Sequence, residues 1–359
     1  MLDSTRLEEL GERRIINEIL RPRYGKDASD RFGDDCAIVV ETDTLPGRVV
    51  VATTDPCPEP VASILGYKDL YYRGWLLATI NLSDLAASGA KPLGLLTSLI
   101  LPNESSVGDF THLLDGIDEC CRLSGTRVLG GNIKEGDRID LTATAIGSFV
   151  QERGLSRRGC GTGDLLVVVG DLGLFWAGVV GLKRGVPLEQ HQGELLRNIL
   201  TPTPKVKVAQ AIADGGVLTA CIDNSDGLYP SLAQLAEINK LQMLVSFDEV
   251  IFSSEVQYIS SLTGIDSLRF ALGWGDWQLI GCCRPENLDV LRDIVINHSA
   301  QLHVIGEVRE GNGVLLRYKS SYRTMASIDS QRFTADSWFT AGLDAYLKAL
   351  TEGPLWATA

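Results

Sequence analysis

The sequence predicts two α/β domains with mixed α+β character, and three features support this. A chain of 359 residues with 45% hydrophobic content can bury more than one core, which favours two domains over one. Strand-like and helix-like apolar runs alternate along residues 36–150, and a second alternation begins near Leu165. Between them, Arg153–Gly163 is rich in arginine and glycine, as a linker would be. We therefore expect domains at 1–152 and 153–320, followed by a C-terminal tail extension at 321–359.

The elements of the first domain follow from changes in apolar periodicity. Leu7, Leu10 and Ile15 recur among charges at helical spacing, and a Pro46-Gly47 turn separates two short β-branched runs. We expect helices over 6–20, 67–89 and 110–123, and strands over 36–40, 49–52, 93–101, 127–129 and 138–150.

The second domain contains an almost apolar stretch at 165–182 that is nearly long enough to cross a membrane. Asp171 interrupts it between Gly170 and Gly173, which indicates a strand, a turn and a buried helix instead. We expect strands over 165–169, 217–222, 278–283 and 302–308, helices over 175–183, 205–213, 228–238 and 285–297, and weak helicity over 337–350.

The overall charge and the cysteine usage exclude several classes of function. A net charge of −13 and no arginine-lysine patch interleaved with aromatic residues argue against nucleic acid and anionic membrane partners. The N-terminus lacks signal-peptide character. Eight cysteines show no CxxC spacing and lie mostly in apolar patterns, so they are read as buried thiols of a cytoplasmic protein. The four histidines lack zinc-ligand spacing.

Four acidic clusters lie at the ends of apolar runs. They are Gly33-Asp34-Asp35, Thr53-Thr54-Asp55, Asn81-Leu82-Ser83-Asp84 and Asp223-Asn224-Ser225-Asp226-Gly227. Two carboxylates 4 Å apart repel by roughly 4 kcal/mol at a protein-like dielectric, so converging clusters would need cations. Hard divalent ions with oxygen ligands, bridging to phosphates, provide that compensation. The sequence therefore predicts Mg²⁺-nucleotide chemistry.

Each cluster also has a structural explanation. A Gly-Asp pair favours a turn, and Ser225 or Asp226 can cap a helix, although a helix N-terminus also suits phosphate. Asn81 and Asp84 share one face of an otherwise apolar helix, where a buried carboxylate must be paired or metal-bound.

Two basic or glycine-rich segments could approach a nucleotide. Gly130-Gly131-Asn132 follows a strand and admits close backbone approach, or simply forms a turn. Arg157 and Arg158 could bind phosphate oxygens, or remain solvated in the linker. A P-loop is absent from the sequence, and no serine or cysteine nucleophile with a matched histidine is supported.

Taken in order, these segments resemble the thiamine-monophosphate kinase family, within the superfamily of aminoimidazole ribonucleotide synthetase. The resemblance covers roughly residues 6–318. The motifs that carry it are Phe32-Gly-Asp-Asp-Cys-Ala37, Thr53-Thr-Asp55, Asn81–Pro92, Gly130-Gly131, Leu155-Ser-Arg-Arg-Gly159 with Gly163-Asp164, and Ile222–Leu228.

The resemblance implies an aminoimidazole ribonucleotide synthetase-like fold of two domains, the first pairing its sheet across a homodimer, with ATP in a groove near that interface. The positions that match magnesium ligands are Asp35, Thr53, Thr54, Asp55, Asp84, Asp223 and Asp226. Gly131, Asn132, Arg157 and Ser225 fall at nucleotide-contacting positions, and Asp84, Asp223 and Arg157 are the expected catalytic residues. In the kinase the ions bridge ATP to the substrate phosphate, so catalysis comes from positioning and charge neutralisation.

The departures from the family pattern concern mainly the acceptor. Asn132 stands where the kinase has an aspartate, so one metal carboxylate becomes an amide. The substrate motif Gly-Gly-Glu-Asp-Tyr-Glu is replaced by Gly273-Trp-Gly-Asp-Trp-Gln278, and the substrate-side histidine falls near Ala62. Trp274, Asp276 and Trp277 are therefore expected to line a different acceptor pocket, with core packing as the alternative for the tryptophans.

We accordingly expect a homodimeric enzyme that transfers phosphoryl from ATP, with Mg²⁺, to a small molecule other than thiamine monophosphate. One alternative is ATP-dependent activation of an amide oxygen followed by ring closure or amine attack. Another is a non-catalytic nucleotide binder, which Asn132 motivates.

Overall fold

The computed structural model describes residues 34–41, 47–188, 191–246, 252–318, 321–324 and 338–356, together with four single positions before residue 23. The helix expected over 6–20 lies outside these ranges. Within them, no helix is both long and apolar enough to cross a membrane.

A five-stranded sheet forms the centre of the N-terminal domain. Its strands are β1 (Ala37–Glu41), β2 (Arg48–Pro56), β3 (Lys91–Leu101), β4 (Val128–Glu135) and β5 (Asp140–Val150). The order is β1-β2-β5-β3-β4, and all pairs are antiparallel except β3 with β4. Strand β4 lies at one edge of the sheet, so it pairs on one side only within the described residues.

Two long helices cover one face of this sheet. They are α2 (Leu70–Ala87) and α3 (Val107–Leu123), and the short α1 (Val61–Ile64) precedes them. A Cβ on Gly74 would lie 2.0 Å from the carbonyl oxygen of Leu113, and a Cβ on Gly116 would lie 2.0 Å from that of Tyr71. The two helices therefore cross in backbone contact, which only glycine permits at both points.

The C-terminal domain is built on a seven-stranded sheet. Its strands are β6 (Leu165–Val169), β7 (Leu218–Asp223), β8 (Gln242–Ser246), β9 (Leu279–Cys283), β10 (Leu302–Arg309), β11 (Gly313–Tyr318) and β12 (Ser321–Thr324), in the order β12-β11-β8-β10-β6-β9-β7. Its helices are α4 (Leu174–Lys183), α5 (Gln192–Leu200), α6 (Val206–Gly215), α7 (Leu228–Asn239), α8 (Ser254–Thr263), α9 (Ser267–Leu272) and α10 (Leu288–Asn297).

Most predicted elements appear close to their expected positions, and the mixed α/β class is confirmed. The apolar stretch at 165–182 is β6, a turn and α4. Helices α5, α8 and α9 and strands β8, β11 and β12 were not anticipated, because short apolar runs do not distinguish strands from helices by periodicity alone. The domain limits at 152 and 320 stay a prediction.

The C-terminal tail returns to the second domain. Helices α11 (Trp338–Ala341) and α12 (Leu343–Glu352) follow the sheet. Arg269 donates hydrogen bonds to the carbonyl oxygens of Leu350 and Gly353, which would otherwise lack partners at the end of α12. The eight cysteines are all free and buried, as their apolar surroundings predicted; the cytoplasmic assignment stays a prediction.

Candidate active site

Helix α2 connects the two domains and delivers polar groups to the space between them. Its Ser83 hydroxyl donates to the Asp223 carboxylate at 2.7 Å, and Asp84 accepts a 2.6 Å hydrogen bond from Thr53. Asn81, fully buried, accepts from the backbone N–H of Asp55 at 3.1 Å. Leu77, Leu82 and Leu85 of the same helix are fully buried, so their packing fixes the direction in which the polar side chains point.

Thr53, Thr54 and Asp55 end strand β2, and their side chains point alternately to its two faces. Thr53 faces Asp84, whereas the Thr54 hydroxyl donates to the carbonyl oxygen of Ala143 at 2.9 Å. Of the two threonine side chains expected near metal, only that of Thr53 contacts the acidic residues.

Arg157 brings the linker to the acidic residues. Its Nη2 and Nε donate to the two carboxylate oxygens of Asp35 at 2.6 and 3.1 Å, and its Nη1 donates to Gln234 Oε1 at 2.7 Å. The Asp35 side chain is 2% exposed. Burial alone would lower the pKa of Arg157, but Asp35 raises it, so the guanidinium is cationic. This fork-shaped pair is the strong form of ion pair.

The linker itself is fixed by two further side chains. Asp34 accepts hydrogen bonds from the Ser156 hydroxyl at 2.9 Å and from the backbone N–H of Arg157 at 3.1 Å. Asn239 on α7 donates to the carbonyl oxygen of Arg157 and accepts from the N–H of Gly159. Asp34 therefore has a positioning task, while Asp35 faces the cluster.

Three carboxylates converge at the centre. Ligand oxygens of Asp35, Asp84 and Asp223 all lie within 4.8 Å of one another. Burial, and then the charge of Asp223, raises the pKa of Asp84 well above its ordinary value. Burial, and then the charge of Asp35, raises the pKa of Asp223 to about 7, although the Ser83 hydrogen bond opposes this. Burial and mutual repulsion thus disfavour three ionised carboxylates here, and an all-oxygen donor set is the one Mg²⁺ prefers.

Two more predicted residues border this cluster. Ser225 donates to Asp223 at 3.0 Å, just before α7 begins. Asp226 accepts from Gln234 Nε2 at 3.2 Å, so Gln234 bridges Asp226 and Arg157. Asp223 ends β7, and Asp226 lies two residues before the start of α7, whose free N–H groups also favour phosphate.

Gly131 and Asn132 do not join the cluster within one chain. The register places Gly131 beside Thr97, Thr97 beside Ala143, and Ala143 beside Asp55. Three strand spacings of about 4.8 Å each therefore separate Gly131 from Asp55. Asn132 is exposed on the edge strand β4.

The expected acceptor residues lie on a loop next to Ser225, since the Gly275 N–H donates to the Ser225 carbonyl at 2.8 Å. Trp274 packs against Phe175 and Trp176 with ring centroids 5.9 and 5.4 Å apart, and Trp277 is 5% exposed.

The backbone of the same loop is unusual. Trp277 has φ 45°, a strained value for a bulky residue. Asp276 accepts from the N–H of Gly173 at 2.6 Å and so caps α4. Both the packing of the tryptophans and this cap are structural uses, and a role in acceptor binding stays a prediction.

Sequence reasoning missed Gln234, Asn239 and the role of Ser83. Ser83 stands inside a singled-out acidic motif, so its proximity to Asp84 was a usable signal. Gln234 and Asn239 lie on the polar side of α7 without any motif, and only the docking of α7 beside the linker selects them.

Comparison with known protein families assigns both domains of this chain. Residues 33–149 match the family "AIR synthase related protein, N-terminal domain", and residues 161–319 match "AIR synthase related protein, C-terminal domain". The chain therefore belongs to the AIR synthase related family, of which it is a thiamine-monophosphate kinase-like member.

The relatives specify that likeness. Thiamine-monophosphate kinase of Haemophilus influenzae is 30% identical over 85% of this chain and 91% of its own length. That of Aquifex aeolicus is 28% identical over 87% and 95%. The solved structure of AaThiL complexed with AMPPCP and TMP superposes with a TM-score of 0.76, at 27% identity, covering 89% of this chain and 97% of that one. The resemblance inferred from the motifs is thus confirmed.

Proposed function

We propose that this protein is a Mg²⁺-dependent phosphotransferase that passes the γ-phosphoryl group of ATP to a small-molecule acceptor. The main observation behind this proposal is that carboxylate oxygens of Asp35, Asp84 and Asp223 lie within 4.8 Å of one another. The kinases among its relatives, and the AMPPCP bound to AaThiL, support the choice of nucleotide.

Asp35, Asp84 and Asp223 would hold the metal, with Asp55 and Asp226 at its margins. Bound Mg²⁺ would neutralise phosphate charge and align the transferred group. The chain's own residues orient these carboxylates: Ser83 and Ser225 each donate to Asp223, and Thr53 donates to Asp84. No protein nucleophile is required, because positioning and charge stabilisation suffice for phosphoryl transfer.

Arg157 would bind the nucleotide phosphates. Its guanidinium pairs with Asp35 and donates to Gln234. A cation that takes over Asp35 would release the guanidinium, whose planar fork matches phosphate oxygens. Arg157 would then bind phosphate oxygens, while the cation would balance the charge of Asp35.

The acceptor is proposed to differ from thiamine monophosphate. The loop Gly273–Gln278 departs from the kinase motif, and its Asp276 caps α4. A tryptophan-rich loop next to Ser225 would present apolar surface to the acceptor. Replacing charged substrate contacts by aromatic ones changes which acceptors can displace water there.

A homodimer is proposed on the evidence of exposed apolar residues on β3 and β4. Leu93, Leu96, Leu129 and Ile133 are 45, 42, 47 and 58% exposed, respectively. An open edge strand beside such residues favours pairing with another chain. A partner would also supply surface near Gly131, where nucleotide contacts are expected.

Sedimentation tests the dimer. Leu129→Glu should convert a dimer to a monomer, whereas Val107→Glu, at an 82% exposed position on α3, should not. A wild-type monomer at micromolar concentration would contradict the proposal.

Product analysis tests the reaction. Phosphorus NMR of protein, Mg-ATP and candidate acceptors, thiamine monophosphate among them, should show ADP and a stable phosphorylated product. ADP with free phosphate and a dehydrated product would instead indicate amide activation, and binding without turnover would indicate a nucleotide binder.

Asp84→Asn should abolish turnover in both enzymatic alternatives. Asn132→Asp should tighten the Mg²⁺ dependence if that amide weakens a shared site.

A further inference from the structure

A cavity lies at the same edge of the C-terminal sheet as Asp223. It has a volume of about 590 Å³ and opens between the turn after β6, the segment before α6 and the residue before β9. Val169 and Asp223 both pair with Leu279, on opposite sides of it. The backbone of Val169, which precedes the lining residue Gly170, is therefore about 10 Å from that of Asp223, two strand spacings away. We call it the Lys205 cavity, lined among others by Gly170, Asp171, Lys205 and Gln278.

The amide of Gln278 is an unsatisfied group in this cavity. Gln278 is 3% exposed, and its Oε1 accepts no hydrogen bond from any described residue. A buried carbonyl without a hydrogen-bond donor destabilises the fold, so a ligand that donates to it would be favoured. Its position depends on Gly170, because a Cβ there would lie 1.7 Å from Oε1. Gly170 also has φ 112°, so the backbone is shaped to admit this amide.

The side chain of Lys205 is half-buried and lines the same cavity. Its Cε lies 3.0 Å from the same point above Gly170, which places the lysine stem next to Gln278 Oε1. Among the described residues it makes neither a hydrogen bond nor an ion pair. Burial lowers the pKa of Lys205, although the nearby carboxylates Asp171, Asp276 and Glu194 oppose this shift.

Three carboxylates lie near Lys205, but within the described residues none forms an ion pair with it. Asp171 contacts His303 Nε2 at 3.2 Å, and Glu194 pairs with Arg197 at 2.8 Å. Asp276 accepts from a backbone N–H at 2.6 Å through Oδ2, whereas its Oδ1 is buried without a hydrogen-bond partner in the described part of the chain. Lys205 and this oxygen are therefore both available to a polar ligand.

The wall carrying Lys205 is rigid. Pro202 and Pro204 restrict its backbone, and the Pro202 carbonyl accepts hydrogen bonds from Trp75 Nε1 at 2.8 Å and from the Thr79 hydroxyl at 2.9 Å. A cavity of this volume, with fixed walls and a few converging polar groups, has the properties of a small-molecule site.

We propose that the Lys205 cavity binds a small molecule that carries a phosphate or carboxylate group and, beside it, a hydroxyl or N–H group. The anionic group pairs with the Lys205 ammonium, and the donor group satisfies Gln278 Oε1. This site is separate from the acidic cluster and does not depend on the reaction proposed there.

Calorimetric titration of the full chain in EDTA, without nucleotide, tests the proposal. Orthophosphate and malonate serve as separate probes, because they distinguish a phosphate-bearing from a carboxylate-bearing ligand. We expect at least one to bind the wild type, and Lys205→Met to weaken it by about tenfold or more, as loss of a charged hydrogen bond predicts. Lys68→Met, which removes the same charge at an exposed position, should bind like the wild type.

A crystal of the wild type soaked in selenate gives a readout that does not depend on folding of the variant. An anomalous peak beside Lys205 supports the proposal. Absence of binding by both probes, or equal affinity in Lys205→Met and the wild type, would each overturn it. If orthophosphate binds, a selenate peak only at other positions would overturn it as well.

Discussion

Replacing Asp84 by asparagine should stabilise the protein without metal while removing its response to Mg²⁺. The three central carboxylates lie within 4.8 Å of one another, and each such pair repels by about 3 kcal/mol at an effective dielectric of 20. The variant removes two of these repulsions and keeps an oxygen that can accept the Thr53 hydrogen bond. It keeps the volume of the side chain as well, so packing changes little.

The gain is smaller than the sum of the two repulsions, because the wild type can bind a proton instead. Burial, and then Asp223, raises the pKa of Asp84. A folded pKa above the unfolded one means that stability is lost as pH rises through the folded pKa. The variant lacks this loss, so its advantage should grow as pH rises above about 4, the ordinary pKa of an aspartate in the unfolded chain. A Tm above that of the wild type at neutral and higher pH is the expected result.

Thermal unfolding followed by circular dichroism, in EDTA and in Mg²⁺ across this pH range, measures both effects. Mg²⁺ should raise the Tm of the wild type and leave that of Asp84→Asn nearly unchanged, so the order of stabilities reverses. Asp137→Asn removes an exposed charge elsewhere and should follow the wild type in both conditions. An Asp84→Asn protein that is less stable than the wild type in EDTA at pH 8, or equally stabilised by Mg²⁺, would refute the reasoning.

Other changes probe the site and the fold separately. Without metal, the free energy of unfolding should fall by up to about 4 kcal/mol between about pH 4 and pH 7, because the folded pKa of Asp223 is about 7; urea titrations should show this slope, and Mg²⁺ should flatten it. Arg157→Lys, which cannot bind Asp35 or phosphate through a fork, should weaken ATP binding by about tenfold or more in calorimetry, and unchanged affinity would count against its role. Asp276→Ala should destabilise by about 1–2 kcal/mol through loss of the α4 cap, in chemical denaturation, with Asp276→Asn close to the wild type. Gly74→Ala should cost more than about 2 kcal/mol, since its methyl group would overlap a backbone carbonyl of α3, and a Tm equal to the wild type would show that the helices can separate.

The acidic site was predictable to the extent that it rests on local patterns. Asp84 stood out because a carboxylate interrupts an apolar helix, and Asp223 because it follows an apolar strand. Strand ends and helix faces are fixed by short-range periodicity, so the candidates could be listed from the sequence. Gln234 could not, because its contact with Arg157 joins residues 77 positions apart.

Other residues with a visible motif have contacts that the sequence does not reveal. Asp276, expected to line the acceptor pocket, accepts a hydrogen bond from the backbone N–H of Gly173 at the start of α4, and its role in acceptor binding stays a prediction. Gly131 and Asn132, expected to contact the nucleotide, lie three strand spacings from Asp55 within one chain, and that role also stays a prediction. In both cases the motif gave the residue type but not its neighbours in the fold.

The sequence by itself determined the mixed α/β class, the positions of most strands and helices, and the acidic residues that can bind cations, because these depend on periodicity and on residue chemistry. Only the tertiary structure decided which of those residues meet. The docking of α2 against β7 brings Ser83 to Asp223, and the path of the linker brings Arg157 to Asp35. Contacts between residues more than a hundred positions apart depend on how whole elements pack, and no local pattern encodes that packing.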